Sequence, residues 1–165
     1  MLVSNHASLA DAPFLLAALP IDFHFIANHL HAKYPIVGLI VRAASHHIVD
    51  RASWRGRAEC GRAMVDALRG GGSLLVFPEG TTSGDSRMLP FRNGAFRAAA
   101  ESGSPIIPIA ISGTRRMFPP SGRLRRSRID IEILPALSAP RDTRDDIVAA
   151  REAASGAIAA RLTPL

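Results

Sequence analysis

The stretch "SLLVFPEGTT", residues 73–82, decides how this chain is read. Its first half, Ser73 to Phe77, is a short apolar run with Gly70, Gly71 and Gly72 before it and Pro78 after it. A run of this kind fits a strand buried on both faces, as in parallel sheets. Pro78 stops the ladder because it has no N–H to donate. Glu79 is thereby delivered to the carboxyl edge of the sheet, and Gly80 lets a ligand approach the backbone closely. That edge is where α/β folds build their sites. The plainer alternative is a strand-to-loop turn carrying a solvated glutamate.

Elements of alternating type extend from this strand in both directions. Residues 1–4 read as a strand remnant that enters an Asn5-His6 loop, and an apolar helix follows to about Leu19. "IDFHFIA" (21–27) and "HHIVD" (46–50) read as short strands, and "YPIVGLIVRAA" (34–44) as a buried or membrane-facing helix after Pro35. Ser53 is a good N-cap for a helix that the three glycines at 70–72 close. "NGAFRAAAES" (93–102) is a helix, "PIIPIAI" (105–111) a buried strand, "RIDIEIL" (128–134) an alternating strand near the sheet edge, and residues 143–162 a closing helix. Strands alternating with helices define an α/β fold: a single domain, residues 1–165, with a largely parallel or mixed central sheet flanked by helices.

Composition narrows the function classes. With 165 residues, 47 % of them hydrophobic, the chain can bury one good core, which excludes a disordered segment. No stretch approaches the roughly eighteen apolar residues of a membrane span, so the body reads as soluble or peripheral. The single cysteine, Cys60, excludes an intramolecular disulfide, argues against a structural zinc site and fits a buried helix thiol. His29 and His31 have no acidic cluster or cysteine pair nearby to complete a metal site, so no metal is expected. Lys33 is the only lysine among the twenty basic residues, a hint of a GC-rich bacterial genome.

The net charge of +6 is concentrated in one place. Arg115, Arg116, Arg123, Arg125, Arg126 and Arg128 have no acid among them, and these six match the whole excess. Such a cluster implies an anionic partner: phosphate-bearing lipid, nucleic acid or coenzyme. Phe118 is its only aromatic and no nucleic-acid fold accompanies it, which argues against nucleic acid. Met117, Phe118 and Leu124, interleaved with the arginines, suit an anionic membrane surface.

"LVSNHASLADAP" (2–13) carries the candidate chemistry. On one regular helix His6 and Asp11 would lie about 140° apart and would not face each other. They work as a unit if His6 sits in a loop after a short strand and Asp11 in the first turn of the next helix, where Pro13 is tolerated. The carboxylate then reaches back to an imidazole nitrogen, the geometry of an oriented general base. A second reading of the same letters is a capping box, with Ser8 and Asp11 opening the helix and His6 an ordinary loop residue. Arg51, after a short apolar strand, projects at the same sheet edge and suits a phosphate by its bidentate fork, while Asp50 offers a local ion pair.

In chain order, Asn5-His6-x-Ser8-x-x-Asp11, Ile48-Val49-Asp50-Arg51, Phe77-Pro78-Glu79-Gly80-Thr81 and Ile106 to Ile111 resemble the four ordered blocks of the glycerolipid acyltransferases, the 1-acylglycerol-3-phosphate acyltransferase family. The resemblance covers nearly the whole chain. It implies transfer of a fatty acyl group from acyl-CoA or acyl-carrier protein to the hydroxyl of a lysolipid, with no other cofactor and at the cytoplasmic face of the cell membrane. It also implies that His6 is the general base, Asp11 its orienting partner, and that Arg51, Glu79, Gly80 and Thr81 belong to the acceptor or phosphate site. A catalytically inactive lipid-binding module of the same fold is the rival reading.

This chain departs from the family pattern at several positions. Thr82 stands where family members carry an arginine, and Arg87 is a candidate to compensate. Asn28 replaces a lysine before the second block, and the Thr-Thr-Ser form is similar to lyso-ornithine-lipid and some lysophospholipid acyltransferases. Family members also have membrane-associating helices and a longer first strand before the His-x4-Asp block, so those parts are expected to be missing here.

Overall fold

The computed structural model describes residues 1–28, 47–49, 54–82, 87–119 and 123–162. Among the described residues six strands form one sheet: β1 (Leu2–Ser4), β2 (His24–Asn28), β3 (His47–Val49), β4 (Leu74–Val76), β5 (Ile107–Ser112) and β6 (Asp130–Ile133). Their order across the sheet is β3-β2-β4-β1-β5-β6, with every neighbouring pair parallel except β5–β6. The described helices are α1 (Asp11–Ala18), α2 (Trp54–Arg69), α3 (Gly94–Ser102), α4 (Thr114–Met117) and α5 (Arg144–Ala159).

The apolar runs are explained by what covers the two faces. Successive side chains of a strand point to opposite faces, and the core splits accordingly. Val3, Leu74, Val76 and Ala110 pack with Cys60, Met64, Phe96 and Ile158, which come from α2, α3 and α5. Leu2, Leu75, Ile109 and Ile111 face the other way and meet Leu15 of α1, Leu19 and Phe25. Leu15, Leu74, Leu75, Ile109 and Ile111 are fully excluded from solvent. Each such side chain contributes about 1.5–3 kcal/mol by burial.

The sequence reading holds for the mixed sheet, the buried central strands and β6 at the edge. Several boundaries shift: β4 is shorter than "SLLVF" by a residue at each end, and the one-turn helix α4 has no apolar period to announce it. It follows Gly113, whose φ of +86° turns the chain sharply off β5; a Cβ there would collide with the carbonyl oxygen of Arg128. The expected helix at 34–44 and the N-cap at Ser53 lie outside the described residues.

Because β1 lies between β4 and β5 and is parallel to both, three carboxyl ends open side by side. They deliver the Asn5-His6 loop, the Phe77–Gly80 turn and the Gly113–Arg115 segment to one edge.

Candidate active site

The first loop is pinned at several points. Asn5, 3 % exposed, pairs like a strand residue with Ile111: its Nδ2 donates to the carbonyl of Ile111 and its Oδ1 accepts from the Ile111 N–H, both at 2.9 Å. His6 follows and is buried. Its Nδ1 lies 2.9 Å from Asp11 Oδ2, which also accepts the N–H groups of Ala7 at 2.7 Å and Ser8 at 2.8 Å. One carboxylate oxygen therefore orients the imidazole and ties down the loop. Of the two sequence readings of Asp11, the structure shows the pairing with His6; Asp11 is also the first residue of α1, but the N-cap of that helix, Ala10, makes no side-chain capping bond.

A carboxylate oxygen already taking two N–H donors can only accept from the ring, which places the imidazole hydrogen on Nδ1. Nε2 is left with a free lone pair and has no partner among the described residues. Phe77, at the end of β4, stacks on the ring with centroids 4.1 Å apart and planes 14° apart. Phe25 stacks on Phe77 in turn, with centroids 5.8 Å apart. The imidazole is held by a carboxylate at one edge and an aromatic face below it, and its Nε2 edge is left open.

Glu79 meets the same loop from the β4 side. It is 3 % exposed; Oε1 accepts the His6 N–H at 2.6 Å and Oε2 accepts the Leu89 N–H at 2.7 Å. Burial is the largest influence on its carboxyl and pushes the pKa up, reinforced by the nearby Asp11 charge; the two N–H donors and His6 pull it down. Gly80, with φ +78°, sits under the Arg92 guanidinium, and a Cβ there would come within 3.1 Å of its Nε and Cζ. Gly80, Arg92, Phe77, Cys60, Met64 and Ala95 line a pocket of about 200 Å³ that shares the Phe77 wall with His6.

The remaining candidates separate. Thr81 is exposed, Thr82 half-buried and Arg87 exposed at the start of the segment that returns to Leu89. Arg51 lies outside the described residues, as do His29 and His31. Arg115 stands apart from the other arginines of this segment: it is half-buried, and its Nη1 points at the carbonyl of Ala7, 3.4 Å away. The cause is topological, since α4 begins where β5 ends beside β1. Arg116, Arg123, Arg125, Arg126 and Phe118 remain exposed, and Arg128 is exposed but paired with Asp130 at 2.7 Å. The sequence reading gave no role to Asn5, Phe77 or Leu89; Asn5 and Phe77 lay inside the quoted blocks, whereas a backbone N–H such as that of Leu89 leaves no signature in the letters.

Fold and site together define an α/β protein with a carboxylate-oriented histidine at the carboxyl edge of its sheet. The chain belongs to the acyltransferase family, whose sequence model, described as Acyltransferase, matches residues 1–112. It is 34 % identical to a 1-acyl-sn-glycerol-3-phosphate acyltransferase of Chlamydomonas reinhardtii, over 98 % of this chain and 48 % of that protein. It is 35 % identical to a 1-acyl-sn-glycerol-3-phosphate acyltransferase of Limnanthes alba, over 88 % and 52 %. The chain thus spans about half the length of these relatives. The crystal structure of the 1-acyl-sn-glycerophosphate acyltransferase PlsC from Thermotoga maritima superposes with a TM-score of 0.75 at 26 % identity, covering 95 % of this chain and 62 % of that one.

Proposed function

We propose that this chain is the catalytic part of an O-acyltransferase that moves a fatty acyl group from a thioester carrier, acyl-CoA or acyl-carrier protein, to the hydroxyl of a lysolipid. The observation that carries the reading is the His6–Asp11 pair, whose Nε2 has no partner among the described residues. Nε2 takes the proton of the acceptor hydroxyl as the oxygen attacks the thioester carbonyl. The C–O bond forms, the tetrahedral intermediate collapses with cleavage of the C–S bond, and the imidazolium returns the proton to the departing thiolate. Asp11 stabilises the imidazolium in between. The relatives named for action on 1-acylglycerol-3-phosphate support a lysophospholipid acceptor, and the apolar pocket behind Phe77 suits hydrocarbon.

Arg116, Arg123, Arg125 and Arg126, together with Phe118 at 39 % exposure and Leu124 at 73 %, form the surface on which such an enzyme would meet an anionic bilayer. No described helix is long and apolar enough to cross a membrane. Each arginine near an anionic surface contributes on the order of 1 kcal/mol. Sedimentation with anionic vesicles should therefore capture the protein and lose it as salt rises; equal capture by neutral vesicles would refute this surface.

The deciding experiment is thiol release from acyl-CoA in the presence of lysolipids, comparing the wild type with His6→Ala and Cys60→Ala. His6→Ala should abolish turnover with the fold retained, and Cys60→Ala should remain active because no enzyme thiol enters the reaction. Near wild-type turnover by His6→Ala would remove the general base. A wild type that binds lysolipid without transfer would favour the inactive lipid-binding module.

A further inference from the structure

We propose that Glu79 is a positioning residue for His6: its carboxylate bridges the backbone of the base and the backbone of Leu89, and it does not contact the acceptor. The inference rests on the acyl-transfer reading for its kinetic consequences, but its geometry stands independently. Family resemblance assigns Glu79 to the acceptor site, yet the side chain is nearly excluded from solvent and each of its oxygens already holds an N–H, at 2.6 and 2.7 Å. These are short, charge-assisted contacts. They link residues 73 positions apart on one side and 10 on the other.

The turn is built to present the carboxylate in this way. The Gly80 N–H donates to the carbonyl of Phe77 at 3.0 Å, and the Arg92 N–H donates to the carbonyl of Pro78 at 3.0 Å. The 77–80 turn and the 89–92 segment are thereby joined, and Glu79 extends from that junction to the loop of β1. Asp11 fixes the imidazole through Nδ1 while Glu79 fixes the main chain that carries it. With the ring also stacked on Phe77, the direction of Nε2 is set from three sides. A base displaced by even one ångström loses much of its advantage.

The test compares Glu79→Gln and Glu79→Ala with the wild type. Glutamine keeps one acceptor oxygen and the side-chain length, so it retains one of the two bridges, whereas alanine retains neither. The kcat for acyl transfer should fall in the order Glu, Gln, Ala, roughly tenfold to a hundredfold for Gln. KM for the lysolipid and for acyl-CoA should stay within about twofold, because no substrate contact is removed. A rise in acceptor KM at unchanged kcat would make Glu79 a substrate ligand and overturn the proposal, as would unchanged kinetics.

An NMR measurement without substrate separates this inference from the reading it rests on. Short bonds to a carboxylate move amide protons downfield, so the His6 and Leu89 amide resonances should both shift upfield in Glu79→Ala. A His6 amide that does not move refutes the bridge. Absence of turnover in the wild type refutes the proposed function and leaves this readout intact.

Discussion

Replacing Asp11 by asparagine discriminates between two ways in which a carboxylate can serve a histidine. Asp11 is fully buried, and Oδ2 accepts His6 Nδ1, Ala7 N–H and Ser8 N–H, while Oδ1 has no partner among the described residues. An asparagine amide turned with its NH2 towards Ala7 and Ser8 would set donors against donors. The amide must therefore keep its oxygen where Oδ2 was, so His6 still donates from Nδ1 and the tautomer survives. What is lost is charge. A hydrogen bond to a charged group contributes roughly 1 kcal/mol more than a neutral one, and three such bonds give about 3 kcal/mol. The amide NH2 left at the unpartnered Oδ1 position costs a further 1–3 kcal/mol or so. Thermal melting of Asp11→Asn should show that loss with the fold retained. In the transition state the imidazolium loses its counter-charge, and kcat should fall by roughly 10²-fold, against roughly 10⁴-fold for an aspartate-to-asparagine change that reverses the tautomer. Thiol release from acyl-CoA measures this, with buried Cys60 the protein's only thiol. A 10⁴-fold loss in a folded Asp11→Asn protein would show that the amide presents its N–H to His6 and refute the orientation argument.

Gly113→Ala should cost roughly 2–5 kcal/mol, from the left-handed backbone and the contact with the Arg128 carbonyl. Gly103→Ala, with φ +66° and nothing near its Cβ position, should cost about 1–2 kcal/mol; equal melting temperatures for the two would contradict the close approach. Burial raises the Glu79 carboxyl above its ordinary value near 4.5, so the folded state takes up a proton before the unfolded chain does. The stability of the wild type relative to Glu79→Gln should accordingly increase as pH falls through the window between the raised value and 4.5, and stay level above it. Denaturant titrations across that range check the sign, and a decrease on acidification would contradict it. Thr82→Arg supplies a bidentate cation where threonine offers one neutral hydroxyl. It should raise kcat/KM for lysophosphatidic acid relative to lyso-ornithine lipid, and a wild type already selective for the former and unmoved by the change would refute that reasoning.

Letters near one another in the chain disclosed more of this molecule than letters far apart. "SLLVF" and "PIIPIAI" read as buried strands because continuous burial on both faces removes alternation, and their apolar residues from Leu74 to Phe77 and from Ile109 to Ile111 do divide between the two core clusters. The His6–Asp11 unit was legible because the strand, the loop and the first residue of the helix span only ten residues, 2–11. The sequence also placed Glu79 at the right edge of the sheet, but not the direction of its carboxylate. Its partners are backbone N–H groups 73 and 10 residues away, and every non-proline residue has one. The same reason hid Asn5, whose amide completes the β5 edge at Ile111. Arg115 shows what composition leaves out: six arginines without an intervening acid read as one surface, and the end of β5 beside β1 turns the first of them towards the loop that carries His6. A motif names the groups that do the chemistry; which of them face the substrate and which hold the others in place depends on strand order, and strand order is what brings three carboxyl ends to one edge.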